Sequence, residues 1–442
     1  MWVSNLTGGS YGEVAAITAV APLVALVHSL LASLYYEGVR RRVGEGVGET
    51  LCFLLDVLIM VGPLILAFTL DNLTALYALL LLLALLLLWV RGGGMPKGEA
   101  LDALNADKKP FLGCFRSFMV LSTCIAILAV DFPIFPRRHA KTETSGLSLM
   151  DIGVGGFVIS LGLVSRRARP APSAPLPLLA RLSHSLRLSF PIFILGFLRF
   201  FLLKLVQYPE HTSEYGAHWN FFTTLAFLTL LATLLELDPR GSLLLGGAVL
   251  AAHQAGLSLL GVEEYVHSGA PRENLFAANR EGISSLPGYL GMFLIAIFIG
   301  STLLQKRRSV SEWLKFGMSL LVISLVLPVV AYLSPFLASR KVVNVSYVLY
   351  CFSLTLLPLS LFLICEILVP GYQNPSKFLK VISEKRNSQL VFFLVSNVGT
   401  GIINMLIQTL FCSSVTSYFV LFAYMIISMS LATFLVNKLH NL

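Results

Sequence analysis

Charged side chains are scarce in this chain. Asp, Glu, Lys and Arg make up 12% of its 442 residues, whereas 56% are hydrophobic. With a mean hydropathy of +0.81, that balance excludes an ordinary soluble domain. Cysteine is thin as well: Cys52, Cys114, Cys124, Cys351 and Cys365 fall in apolar runs and only Cys412 lies near a boundary, so no disulfide framework is expected. No CxxC or Cys/His pair has metal-site spacing, and no metal is expected. A G-x-S-x-G elbow, an H-E-x-x-H helix and a P-loop are all missing, which removes the commonest hydrolase, zinc-protease and nucleotide signatures. The N-terminal stretch lacks the basic region and small-residue cleavage site of a removed signal peptide, so the first apolar run is expected to stay.

What the chain has in abundance is apolar runs of about 20 residues, each able to cross a ~30 Å hydrocarbon core as a helix. The expected fold is all-α, a polytopic membrane protein with about thirteen spans. They are placed at 13–36, 50–70, 73–91, 111–130, 147–164, 186–206, 219–237, 242–261, 283–304, 315–338, 345–368, 388–410 and 415–437. One membrane-embedded domain, 1–442, is expected. The Pro/Ala/Arg-rich stretch 165–185 reads as a cytosolic linker that could divide a five-span half from an eight-span half.

The net charge of +9 needs no nucleic-acid partner, because its distribution follows the membrane. Twenty Lys and Arg lie in the odd-numbered gaps and the tail, against seven in the even gaps: Arg137, Arg138, Lys141, Arg272, Arg280, Arg340 and Lys341. The positive-inside rule then sets the N-terminus outside the cytosol and the C-terminus within it. Sequons at Asn5, Asn72 and Asn344 fall on the same non-cytosolic side, which in a eukaryote is the endoplasmic reticulum lumen.

Three even gaps break the apolar monotony. Residues 131–146 carry Asp131, Arg137, Arg138, His139, Lys141 and Glu143; 207–218 carry Glu210, His211, Glu214, Tyr215 and His218; 262–282 carry Glu263, Glu264, His267, Arg272, Asn279, Arg280 and Glu281. Groups able to bind or move protons thus gather on one membrane face, although wet connecting loops would also be polar. Asp131 ends an apolar run, so its carboxylate should sit partly desolvated, as suits a general base. Lys141 can approach it only if Pro133 and Pro136 fold the segment back, and an ammonium there would instead favour the ionised acid, so both roles stay open. Arg137 and Arg138 offer planar forks for a phosphate or for lipid headgroups.

Inside the spans, His28, Asp56, Arg199, Lys204, Glu236, His253 and Glu366 are costly in lipid and count as functional candidates. Asn397, Thr400, Asn404 and Gln408 share one helical face, either as interhelical glue, the favoured reading, or as a cavity wall. The residues alone leave enzyme and transporter undecided. A transporter or flippase would place the weight on Asp56 and His253.

Four blocks carry a resemblance. "NLTGGS" at 5–10, "DFPIFPRRHAKTETSGLSLMDIGVG" at 131–155, "EYGAHWNFF" at 214–222 and "ANREGISSLPGYL" at 278–290 resemble the signatures of the glycosylphosphatidylinositol-anchor inositol acyltransferase family. The resemblance implies an endoplasmic reticulum enzyme that moves a fatty acyl group, usually palmitoyl, from acyl-CoA to the inositol 2-hydroxyl of glucosaminyl-phosphatidylinositol. Acyl-CoA is then a co-substrate, with no bound cofactor; membrane lipids surround the chain, and protein partners are left open. The family's catalytic Asp and Lys fall on Asp131 and Lys141. Arg137, Arg138, His139, Glu214, His218, Asn279, Arg280 and Glu281 are expected to contact substrate. The family pattern often has aromatics where this chain has His139 and Ser145, so His139 is not assigned to catalysis.

Overall fold

The computed structural model describes residues 6–36, 42, 45–92, 97–169, 177–205, 214–235, 237–369, 377–385 and 387–440. Among these there is no strand, only one isolated parallel bridge, Gly8 to Leu147. The helices are α1 (Tyr11–Leu31), α2 (Glu45–Thr69), α3 (Thr74–Arg91), α4 (Lys97–Asn105), α5 (Pro110–Ala129), α6 (Ile152–Leu163), α7 (Leu178–Leu205), α8 (Phe221–Leu235) and α9 (Pro239–Leu259). They continue as α10 (Val262–His267), α11 (Leu275–Ala278), α12 (Arg280–Leu304), α13 (Val310–Leu333), α14 (Val345–Leu368), α15 (Lys377–Glu384), α16 (Ser388–Leu406) and α17 (Ser414–His440). The chain is a polytopic all-α membrane protein.

Eleven of these helices are long and apolar enough to cross a membrane. The fifth and seventh expected spans are instead short: α6 has 12 residues and α8 has 15. At 1.5 Å per residue they reach roughly 18 and 22 Å, less than a ~30 Å core. The shortfall at α6 has a local cause. The buried Asp151 carboxylate accepts the backbone N–H groups of Thr142 at 3.1 Å and Ser148 at 3.0 Å, folding 142–151 into a loop where hydropathy expects helix. Irregular backbone at such depth is tolerated where protein covers it or where it lines a cavity.

The most buried helix, α14, packs on α13, α1, α6 and α5; α12 packs on α9, α6 and α8, and α16 on α17 and α5. Helices on both sides of the expected 165–185 linker therefore share one core. Residues 170–176 of that linker lie outside the described residues, as do Asn5, Glu210, His211, Glu236 and the Lys204 side chain. Helix starts follow ordinary capping: Ser10 accepts the Glu13 N–H, Ser309 that of Glu312, and Asn344 that of Tyr347. Asn344 is fully buried in that role, which removes it as a glycan acceptor in the folded chain.

Candidate active site

The segment after α5 does fold back. Asp131 N–H continues the last turn to the Leu128 carbonyl, Phe132 and Phe135 bury their rings, and a short 3-10 turn follows at Arg137–His139. Arg137 donates to the Val130 carbonyl at 2.8 Å and the Phe132 carbonyl at 2.6 Å, so its fork caps the end of α5. Asp131 and Lys141 thereby come to line one cavity of about 890 Å3.

They do not pair with each other. Asp131 Oδ2 accepts a hydrogen bond from Asn404 Nδ2 of α16 at 2.8 Å. Burial raises its pKa above the ordinary carboxylate value, and the Asn404 bond and the Arg137 charge only partly offset that. Lys141 forms a close ion pair with Glu214. Glu214 Oε1 also faces Arg340 Nη1 at 3.5 Å, and Arg340 Nε donates to Asp151 Oδ1 at 3.0 Å. Burial pushes the Glu214 carboxyl up, but Lys141, Arg340 and, more weakly, Arg199 outweigh it and hold it at about 2. Four alternating charges thus run from the cavity wall into the protein.

Arg340 reaches this chain because its loop is tied to the 142–146 segment. Ser339 Oγ donates to the Thr144 carbonyl at 2.8 Å, and Gly146 N–H donates to the Ala338 carbonyl at 2.8 Å. The Glu214 loop is held from another side. Gly216 has φ +121°, and a Cβ there would lie 2.5 Å from Asn279 Cα, so only glycine lets the two segments touch. Across that contact Ala217 N–H bonds the Ala278 carbonyl, His218 N–H bonds Asn279 Oδ1, and Gly282 N–H bonds the Tyr215 carbonyl, each at 2.8 Å.

The expected site residues therefore separate by task. Asp131, Lys141 and Glu214 line the cavity. Asn279 braces the Glu214 loop. Arg280 spends its guanidinium on the Ala270 and Ser268 carbonyls, and Glu281 takes two hydrogen bonds from Arg272. Arg138 is engaged by Glu13 and Asp71, each at 2.6 Å. His139 is fully buried against Phe135 with neither ring nitrogen hydrogen-bonded, and burial lowers its pKa. His218 is exposed beside the Phe200 ring. None of these last six lines the cavity.

Asn397, Thr400 and Asn404 do line it, so the polar face of α16 is the cavity wall. Beyond this polar end the cavity is apolar, bounded by Phe115, Phe118 and Met119 of α5, Phe157 of α6, Phe362 of α14 and Phe393 of α16. From Asp131 back to Phe115 along α5 is roughly 24 Å at 1.5 Å per residue. The intramembrane candidates Asp56 and His253 lie off the cavity: Asp56 pairs with His28 at 2.7 Å, and His253 Nε2 contacts the Val342 carbonyl at 2.7 Å.

Of the quoted sequence blocks, 131–155 and 214–222 line this cavity and 5–10 and 278–290 bond to them from behind; the GWT1 family profile matches residues 1–435, nearly the whole chain. The chain belongs to the GWT1 family. It is similar to the phosphatidylinositol-glycan biosynthesis class W protein of Dictyostelium discoideum, with 33% identity over 96% of this chain and 94% of that protein. The GPI-anchored wall transfer protein 1 of Yarrowia lipolytica shares 35% identity over 96% and 94%, and that of Schizosaccharomyces pombe 37% over 71% and 69%.

For this family member, sequence reasoning counted Arg340 only as a loop charge and left Asp151 within the fifth expected span, 147–164. Their partners lie 126 and 189 residues apart in sequence, and no local period reports such a pairing. The available signal was composition: an Arg-Lys pair inside a short gap between two apolar spans.

Proposed function

We propose that this chain transfers a fatty acyl group, palmitoyl in the first instance, from acyl-CoA to the inositol 2-hydroxyl of glucosaminyl-phosphatidylinositol, on the lumenal side of the endoplasmic reticulum membrane. The names of its relatives, which speak of phosphatidylinositol-glycan biosynthesis and of GPI-anchored wall transfer, support a role in making GPI anchors. The observation that carries the reading is one cavity joining a half-buried carboxylate, Asp131, to a long apolar shaft. Such a space suits an acyl chain whose thioester stops at the polar end.

In this mechanism Asp131 accepts the proton of the inositol hydroxyl as its oxygen attacks the thioester carbonyl. Lys141, steadied by Glu214, stabilises the oxyanion that develops. The C–S bond then breaks, the ester forms, and the departing CoA thiolate takes the proton back from Asp131. Because a thioester is already an activated acyl donor, no acyl-enzyme is needed. Asn404 keeps the Asp131 carboxylate aimed into the cavity through the 2.8 Å bond.

Microsomes lacking the endogenous activity, given acyl-CoA and glucosaminyl-phosphatidylinositol, test this directly. Wild-type chain is expected to yield acylated inositol lipid and Asp131→Asn at matched expression none. Product from both moves the base elsewhere, and product from neither overturns the reaction.

A further inference from the structure

The cavity is open on one side. Leu198 of α7 and Val398 of α16 both line it, yet they are 48% and 63% exposed. Helix α7 packs on α8, whereas α16 packs on α17, α5 and α15. Helix α16 meets the opposite wall through an aromatic cluster, where Phe393 approaches Phe157 of α6 and Phe221 of α8, each at 6.0 Å between ring centroids. Because α7 and α16 are membrane-spanning helices, the opening between Leu198 and Val398 faces hydrocarbon.

At this opening sits Arg199. It lines the cavity, is exposed, and has no hydrogen bond or ion pair among the described residues. The carboxylate it influences, Glu214, is already engaged by Lys141 and Arg340. An arginine on a membrane-spanning helix with no ion pair of its own among the described residues is costly and calls for an anion that the bilayer itself supplies. Its planar fork matches a phosphate bidentately. Its position is fixed by α8: Asn220 Nδ2 donates to the Gly196 carbonyl at 2.8 Å, and a Cβ on Gly196 would press within 3.1 Å of Thr223 Oγ1. The outer faces of both helices are apolar, with Ile194, Phe197 and Phe201 exposed on α7 and Ile402 and Met405 on α16.

From this we infer that the α7–α16 opening is a lateral portal for the phospholipid acceptor, with Arg199 binding its phosphodiester. The lipid's acyl chains stay in the bilayer along the exposed faces of α7 and α16. Its headgroup passes inward toward Asp131 and Lys141. This deepens the acyltransferase reading, on which the identity of the headgroup rests; the portal and its phosphate contact rest on the geometry alone.

The test uses the full chain in proteoliposomes, as wild type, Arg199→Gln, Arg199→Lys and Val398→Trp, each first checked for an unchanged melting midpoint. The KM for glucosaminyl-phosphatidylinositol and the KM for acyl-CoA are measured separately. Arg199→Gln is expected to raise the acceptor KM roughly ten- to hundredfold through lost charge-assisted hydrogen bonds, with the acyl-CoA KM unchanged. Arg199→Lys should fall between, and Val398→Trp should obstruct the portal while leaving Arg199 intact. In parallel, phosphatidylinositol with a photoreactive acyl chain is crosslinked and the labelled peptides mapped.

Labelling of the α7 and α16 peptides that falls in Arg199→Gln supports the portal even if the wild type acylates nothing, an outcome that would sink the acyltransferase reading alone. Normal acylation without labelling there overturns the portal alone. An unchanged acceptor KM, or a rise confined to acyl-CoA, removes Arg199 from the lipid site.

Discussion

Asn404 and Asp131, 273 positions apart in sequence, are joined by a single 2.8 Å hydrogen bond that favours the ionised carboxylate against the burial that opposes it. Removing the amide as Asn404→Leu is therefore expected to raise the Asp131 pKa further. A general base works only when ionised, so activity is lost as pH falls through its pKa. The acid limb of kcat/KM should move to higher pH in Asn404→Leu, and Asp131→Asn should lose about a hundredfold or more in kcat. An acid limb that stays in place would show that Asp131 is not the titrating group.

Glu214 carries the opposite sign. Its carboxyl is held at about 2, below its ordinary 4.5, so it binds fewer protons folded than unfolded across that interval. Its stabilising contribution is present above pH 4.5 and is lost as pH falls from there toward 2. Melting midpoints of the detergent-solubilised chain should fall through this window, and less steeply in Glu214→Gln. Parallel wild-type and variant curves would refute the pairing with Lys141 and Arg340.

Breaking the deeper end of the charge chain should cost more. Arg340 and Asp151 are both buried, and leaving either alone is expected to destabilise by about 3–5 kcal/mol. Arg340→Met and Asp151→Asn should each lower the melting midpoint, and the double variant should lose less than the two single losses together. Full additivity in that cycle would mean the two side chains act independently.

The apolar shaft sets chain length in the proposed reaction. Phe115 and Phe362 close it at the end far from Asp131, their rings 6.3 Å apart. Phe362→Ala should extend the space and shift the preference toward longer acyl-CoA; a bulkier Phe115→Trp should shift it toward shorter ones. Competition among acyl-CoAs of graded length reads this out, and an unchanged product spectrum in both would move the acyl chain elsewhere.

Much of the fold was legible because lipid imposes a simple code, apolar runs punctuated by charge. The code fails at 147–151, where Leu147, Leu149 and Met150 count as membrane-like although Asp151 draws their backbone into a loop. The same contrast exposed Asp131 and Lys141 as candidates, since isolated charge stands out in so apolar a chain. Partner choice was not legible: Lys141 takes Glu214, 73 positions away, because the Gly216 contact with Asn279 delivers that loop to the cavity. The face bearing Asn397, Thr400 and Asn404 was visible as polar, but telling glue from wall requires knowing what lies opposite, which periodicity does not encode.

The Asn404 bond also bears on how the protein comes to exist. Translation delivers Asp131 to the membrane well before α16, whose Asn404 follows it by 273 positions. Until then Asp131 lacks its amide partner and the cavity lacks a wall. On the proposed mechanism a chain cut before α16, however well its earlier helices have inserted, is expected to be chemically silent, and competence arrives only when α16 joins the bundle.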